Sequence, residues 1–110
     1  MGGLQFIEEL PFEQLYSKYS QHHRLQTFAQ KGLKCVCCDR TGSRLVKARD
    51  SGGGIHIDVY TKDWHMMTVD HIIPKSKGGK NHIDNFQPMC KKHNEQKGNK
   101  YEKEGCHHNR

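Results

Sequence analysis

Asp70 and His71 stand side by side at the end of a short apolar run, and Asn94 comes later, directly after His93. The Asp carboxylate and the Asn carbonyl are hard oxygen donors, suited to Mg²⁺ or Mn²⁺. A histidine beside them can take a proton from water at neutral pH, as a general base must. A divalent cation with an activated water is equipment for hydrolysing a phosphodiester. A second set, Cys35, Cys38, Cys90 and His93, forms two short knuckles, Cys-x-x-Cys and Cys-x-x-His, separated by a long insertion. Three thiolates and an imidazole suit tetrahedral zinc, and a filled set of four leaves no position for water, so this zinc is expected to be structural. A redox Cys-x-x-Cys would instead require a following helix on a βαβ scaffold. Asp39-Arg40-Thr41-Gly42 reads as a turn.

These residues need elements to hold them. Phe12, Leu15, Tyr16 and Tyr19 repeat at helical spacing behind Pro11, and Leu25, Phe28 and Ala29 resume the pattern after the polar stretch 20–23. One long or two short helices are expected over roughly 11–31, stopped by Gly32. Residues 44–61 read as a hairpin: a strand over 45–49, a turn over 51–54, and a strand in which Ile55, Ile57 and Val59 alternate with polar residues. Residues 66–73 read as a strand that delivers Asp70 and His71, blocked by Pro74. A basic loop over 75–80, a short return strand over 85–89 and a helix over about 90–99 complete the pattern.

In a 110-residue chain of which 33% is apolar there is one domain and little core, so a metal staple is expected. Eighteen Lys and Arg against twelve Asp and Glu give a net charge of +6, which suits a polyanion such as nucleic acid. No stretch has the apolar length of a bilayer span. The first residues lack the pattern of a secretory signal, so a cytoplasmic location is expected, where cysteines serve as zinc ligands rather than disulfides.

Val69 to Pro74 followed by Ser76-Lys77-Gly78-Gly79, the segment Asp84 to Cys90, and the helix Cys90 to Gly98 together resemble the HNH endonuclease family in its zinc-stapled branch. Asn94 stands where many members have His, the HNN form of the motif, and His93 where a fourth Cys is more usual. The resemblance covers roughly residues 35–100. It implies an α+β fold: a small ββα-metal, treble-clef-like module with a structural zinc, here behind an N-terminal helical extension over 1–34 and ahead of a polar tail over 101–110. By the same resemblance Asp70 and Asn94 hold one Mg²⁺ or Mn²⁺, His71 activates water, and Asn85 anchors the loop and orients His71. The water attacks phosphorus in line and the product is a 5′ phosphate. Lys75, Lys77, Lys80 and Lys97 are candidate DNA-phosphate contacts. One such site cuts one strand, so double-strand cleavage would require a homodimer, a protein partner or two successive nicks. The competing reading is a non-catalytic zinc-ribbon-like DNA-binding module, against which the complete set Asp70, His71 and Asn94 argues.

Overall fold

The computed structural model describes residues 3–98. The expected polar tail over 101–110 lies outside them. A five-stranded antiparallel meander forms the frame, in the order β1 (Gln5–Leu10), β2 (Gly42–Arg49), β3 (Ile55–Thr61), β4 (Met66–His71) and β5 (Phe86–Cys90). Helix α1 (His23–Lys31) precedes β2, and α2 (Lys91–Lys97) follows β5 directly. The expected hairpin is β2–β3, its tip closed by Asp50, whose carboxylate accepts from the amides of Gly52 and Gly54.

Leu15, Leu25, Phe28, Leu45, Val59, Met67 and Met89 are fully buried and form one cluster with Cys35 and Cys90. Leu25 and Phe28 lie three apart on α1, so one helix face enters the core. Gly32 ends the helix with φ 100°, and its amide bonds back to Phe28. The Lys31 ammonium then donates to the carbonyls of Ile83 and Phe86, strapping α1 to the start of β5.

The N-terminal segment departs from the expected helical extension. Residues 5–10 are an edge strand paired with β2, so this segment is part of the same sheet. Most of its residues are exposed, so it carries no alternation of apolar and polar positions by which to be read. Glu9 reaches across to Arg44 at 2.8 Å, a charged pairing that suits an edge. The expected helix from Pro11 is only a 3-10 turn over Phe12–Tyr16. The α-helix begins after the polar break.

β3 and β4 pair at only two positions, Val59 with Met67 and Tyr60 with Met66, whereas β4 and β5 pair along five. The pair β4–β5 with α2 therefore branches from the rest of the sheet, and it carries the chemistry-bearing residues at its two ends. Among the described residues no helix is long and apolar enough to cross a membrane.

Candidate metal centre and catalytic cleft

The first knuckle is a tight turn. The Cys35 amide donates to Arg40 O at 2.8 Å, and Val36 N donates to Pro88 O at 3.1 Å, which pins the turn against β5. β5 ends at Cys90, and His93 lies one turn into α2. The ligand atoms of Cys35, Cys38, Cys90 and His93 all lie within 4.8 Å of one another. Cys38 Sγ is 3.9 Å from Cys90 Sγ, close to the roughly 3.8 Å between two sulfurs bound at about 2.3 Å around a tetrahedral ion. Cys90 Sγ is 3.1 Å from His93 Nδ1. The expected ligand set is thus one cluster that fits zinc.

Electrostatics divides the thiols. Burial pushes the Cys35 thiol up to about 11. Burial acts on Cys90 too, but the His93 amide, the Arg40 guanidinium at 3.5 Å and the neighbouring thiols outweigh it and hold Cys90 below its ordinary value. Cys90 therefore gives up its proton more readily than Cys35, which yields its own only to a strong competitor such as a cation.

At the far end of β4, Asp70, His71, Lys75, Ser76 and Asn94 line one cleft of about 340 Å³. Asp70 is 5% exposed. Its Oδ2 accepts from Gln87 Nε2 at 3.0 Å, the residue opposite it in the β4–β5 ladder, and lies 3.1 Å from Lys97 Nζ. Asn94 donates through Nδ2 to Thr68 Oγ1 at 2.8 Å, and that hydroxyl donates to Met89 O at 2.6 Å. Committing Nδ2 to Thr68 leaves the Asn94 carbonyl oxygen as the atom able to ligate. His71 lies edge-on to Phe86 with ring centroids 5.0 Å apart, and its Nε2 is 3.3 Å from Asn81 Oδ1.

Lys97 differs from the sequence expectation. It was expected as an open phosphate contact, but its side chain is 5% exposed and its ammonium is shared between Asp70 and the carbonyl of His71 at 2.9 Å. Lys97 is better described as the counter-ion of Asp70. Removing one partner of a buried pair leaves an uncompensated charge, so Lys97→Ala should cost about 3–5 kcal/mol in urea unfolding. An exposed phosphate contact would change stability by well under 1 kcal/mol. Lys75, Lys77 and Lys80 are exposed, and Lys75 is in the cleft wall.

Asn85 holds the basic loop closed. Its Oδ1 accepts from Ile73 N at 2.9 Å, and its Nδ2 donates to Ile73 O at 3.0 Å and Lys80 O at 2.9 Å. The Asn85 carbonyl also accepts from Ile72 N, next to His71. Its grip on His71 thus runs through the backbone of residues 72–73, whereas Asn81 meets the imidazole itself. The loop needs both of its glycines. Gly78 has φ 88°, and a Cβ on Gly79 would lie 1.7 Å from Ile73 O. Asn85→Ala should keep zinc and fold but lower cleavage on the order of 100-fold, the cost of a catalytic group displaced by about 1 Å. Cleavage near the parent rate would reduce Asn85 to a turn residue.

Asn81, Gln87 and Thr68 escape the sequence reading as site residues, and Lys97 enters it only as a phosphate contact. Gln87 alone had a readable signal, as the ladder partner of Asp70 once β4 and β5 are paired.

Residues 60–108 match the model of the family described as HNH endonuclease. The match spans Asp70, His71, Asn85, Cys90, His93 and Asn94, but begins after Cys35 and Cys38. No curated protein and no solved structure matches the chain significantly.

Proposed function

We propose that this chain, whose residues 60–108 match the HNH endonuclease family, is a metal-dependent nuclease that hydrolyses DNA phosphodiesters one strand at a time. The observation that carries this reading is the convergence of Asp70, His71, Asn94 and Lys75 on a single cleft. The donor set fits a hard cation: a carboxylate whose Oδ2 is already held by Gln87 and Lys97, and an amide oxygen aimed by the bond from Nδ2 to Thr68. A bound Mg²⁺ or Mn²⁺ would supply positive charge to the phosphoryl and leaving 3′ oxygens.

The chain's own residues do the rest. Asn81 Oδ1 accepts from Nε2 of a neutral His71, which leaves Nδ1 as the basic nitrogen. That nitrogen takes the proton of the attacking water. Asn85 fixes the loop that carries Lys75, and the ammonium of Lys75 meets the phosphate entering the cleft. Lys97 balances the charge of the Asp70 carboxylate in a buried setting. The cluster Cys35, Cys38, Cys90 and His93 would hold a structural zinc, which would fix the start of α2 and with it Asn94. The β4–loop–β5–α2 unit then acts as the ββα-metal, treble-clef-like module in a cytoplasmic protein whose free thiols are those of the cluster, Cys35, Cys38 and Cys90, among the described residues.

Purified protein incubated with supercoiled plasmid should convert it to open circles with Mg²⁺ or Mn²⁺ and leave it intact with EDTA or without added divalent ion. Plasmid that stays supercoiled under every condition, while still being bound, would instead favour a non-catalytic zinc-ribbon-like DNA-binding module.

A further inference from the structure

Trp64, the chain's single tryptophan, sits where a hairpin turn would ordinarily carry glycine. In the β3–β4 turn its amide donates to Thr61 O at 3.0 Å, and Thr61 N donates to His65 O at 2.8 Å. Trp64 has φ 69°, the one positive φ at a non-glycine among the described residues. A bulky residue is strained there and glycine is not, and strain of this kind gathers at ligand clamps. Trp64 is 44% exposed. The Arg44 guanidinium lies 4.4 Å from its centroid, and the rings of Phe6 and Tyr60 lie 6.2 and 5.7 Å away.

Beside this ring opens a second cleft of about 390 Å³, whose walls include Arg40, Tyr60, His65, Lys91 and Lys92. Glu95 is the single carboxylate among its lining residues. Asp63, 3.4 Å from His65, lies next to it. Tyr60 is 2% exposed, and its hydroxyl is buried with no hydrogen-bond partner among the described residues. Burial, and after it the Asp58 carboxylate, push the Tyr60 phenol up, which keeps it a donor.

Resting on the nuclease reading above, we propose that this cleft is a nucleotide subsite in which Trp64 stacks an unpaired DNA base while Arg40, Lys91 and Lys92 hold the flanking phosphates. An exposed aromatic among cations is the makeup of surfaces that take single strands, because every base offers a π-face. The two clefts lie at opposite ends of the same elements. Met66 and Lys91–Lys92 border the Trp64 cleft, and His71 and Asn94 border the catalytic one. Along β4 the separation is about 16 Å at roughly 3.3 Å per residue, a span of a few nucleotides. One strand laid along β4 and α2 therefore reaches both. A fully paired duplex keeps its bases inside the stack and offers Trp64 nothing. The substrate class is DNA with a single-stranded stretch, flap or extruded base near the cut.

The test uses the zinc-loaded full chain carrying His71→Ala, so that DNA is bound and not cut. It is titrated with a single-stranded oligonucleotide, a matched duplex and a flapped duplex. Anisotropy of labelled DNA reads binding, and the lone tryptophan reads stacking. Single-stranded and flapped DNA should strongly quench Trp64 at saturation, and the matched duplex should quench it little. Trp64→Gly suits the turn, and should weaken single-strand binding about 5- to 100-fold, the loss of one stacked base. Its zinc content should not change. The double variant Lys91→Gln, Lys92→Gln retains the fluorophore. It should bind about tenfold more weakly, with a salt dependence shallower by about two phosphate contacts. If Trp64→Gly fails to fold, quenching and the lysine variant decide. DNA that binds without quenching, a Trp64→Gly protein that binds single strands like its parent, or no binding of any DNA would each overturn the subsite. The parent separates the two readings: binding with quenching but no cleavage in Mg²⁺ or Mn²⁺ ends the nuclease reading and keeps the subsite, while cleavage without quenching does the reverse.

Discussion

Cys38→Ala or Cys90→Ala should yield a chain that does not fold. The core explains the size of the effect. The fully buried apolar side chains form one small cluster, and Cys35 and Cys90 are themselves part of it. The turn at Cys35–Cys38 touches β5 through the bond from Val36 to Pro88. The ion would tie that turn to the β5–α2 junction. In small metallo-domains the free energy of zinc binding, about 10–16 kcal/mol, is part of the free energy of folding. That exceeds the whole stability of a typical domain, about 5–15 kcal/mol. The expected parent protein therefore carries one zinc per chain through dialysis, and strong chelators unfold it. A sulfur ligand must be a thiolate, and Cys35 holds its proton up to about 11 when no cation is present. Zinc has to displace that proton, so affinity should rise with pH between 6 and 8, as read by competition with a chelating dye. Metal analysis that finds well-folded protein without zinc, or an affinity that does not change with pH, would remove the staple.

How much of this was legible differs by element, for physical reasons. The β2–β3 hairpin is legible because Ile55, Ile57 and Val59 alternate with polar residues in the sequence, although burial follows position along the strand instead, with Ile55 exposed and Asp58 to Thr61 all buried. Both halves of the metal cluster are legible because two ligands from one tight turn must be three apart. β1 is not legible, since an exposed edge strand needs no apolar face. Its place is set by pairing with β2 and by Glu9 meeting Arg44. Nor is the burial of Lys97. A lysine near Gly98 reads as a surface charge, and only the approach of α2 to β4 shows that its ammonium ends on Asp70. Trp64 is the sharpest case, because local propensity would put glycine at its φ, and departures from local rules are where functional residues are to be sought.

His71→Ala should keep the zinc, the fold and divalent-ion binding, and lose most cleavage. The imidazole meets the edge of Phe86 and the Asn81 amide at the wall of an open cleft, so its removal opens no cavity in the core. Proton transfer by a positioned base contributes roughly 10²–10⁴-fold, and the loss should fall in that range at saturating metal. The ligand variants should fail differently. Asp70→Asn keeps the shape beside Gln87, but removes the charge that faces both Lys97 and the cation. Asn94→Ala removes a neutral oxygen donor and releases Thr68 Oγ1, whose bond to Met89 remains. Both should raise the Mn²⁺ concentration needed for half-maximal rate, Asp70→Asn more than Asn94→Ala, and high Mn²⁺ should restore part of the Asn94→Ala activity. High Mn²⁺ should restore none of the His71→Ala activity, because no cation replaces the missing proton acceptor. Rate against metal concentration therefore sorts the three residues into base and ligands. A His71→Ala protein that cuts nearly as fast as its parent, or that recovers with added Mn²⁺, would take the base away from His71 and make it a ligand or a bystander.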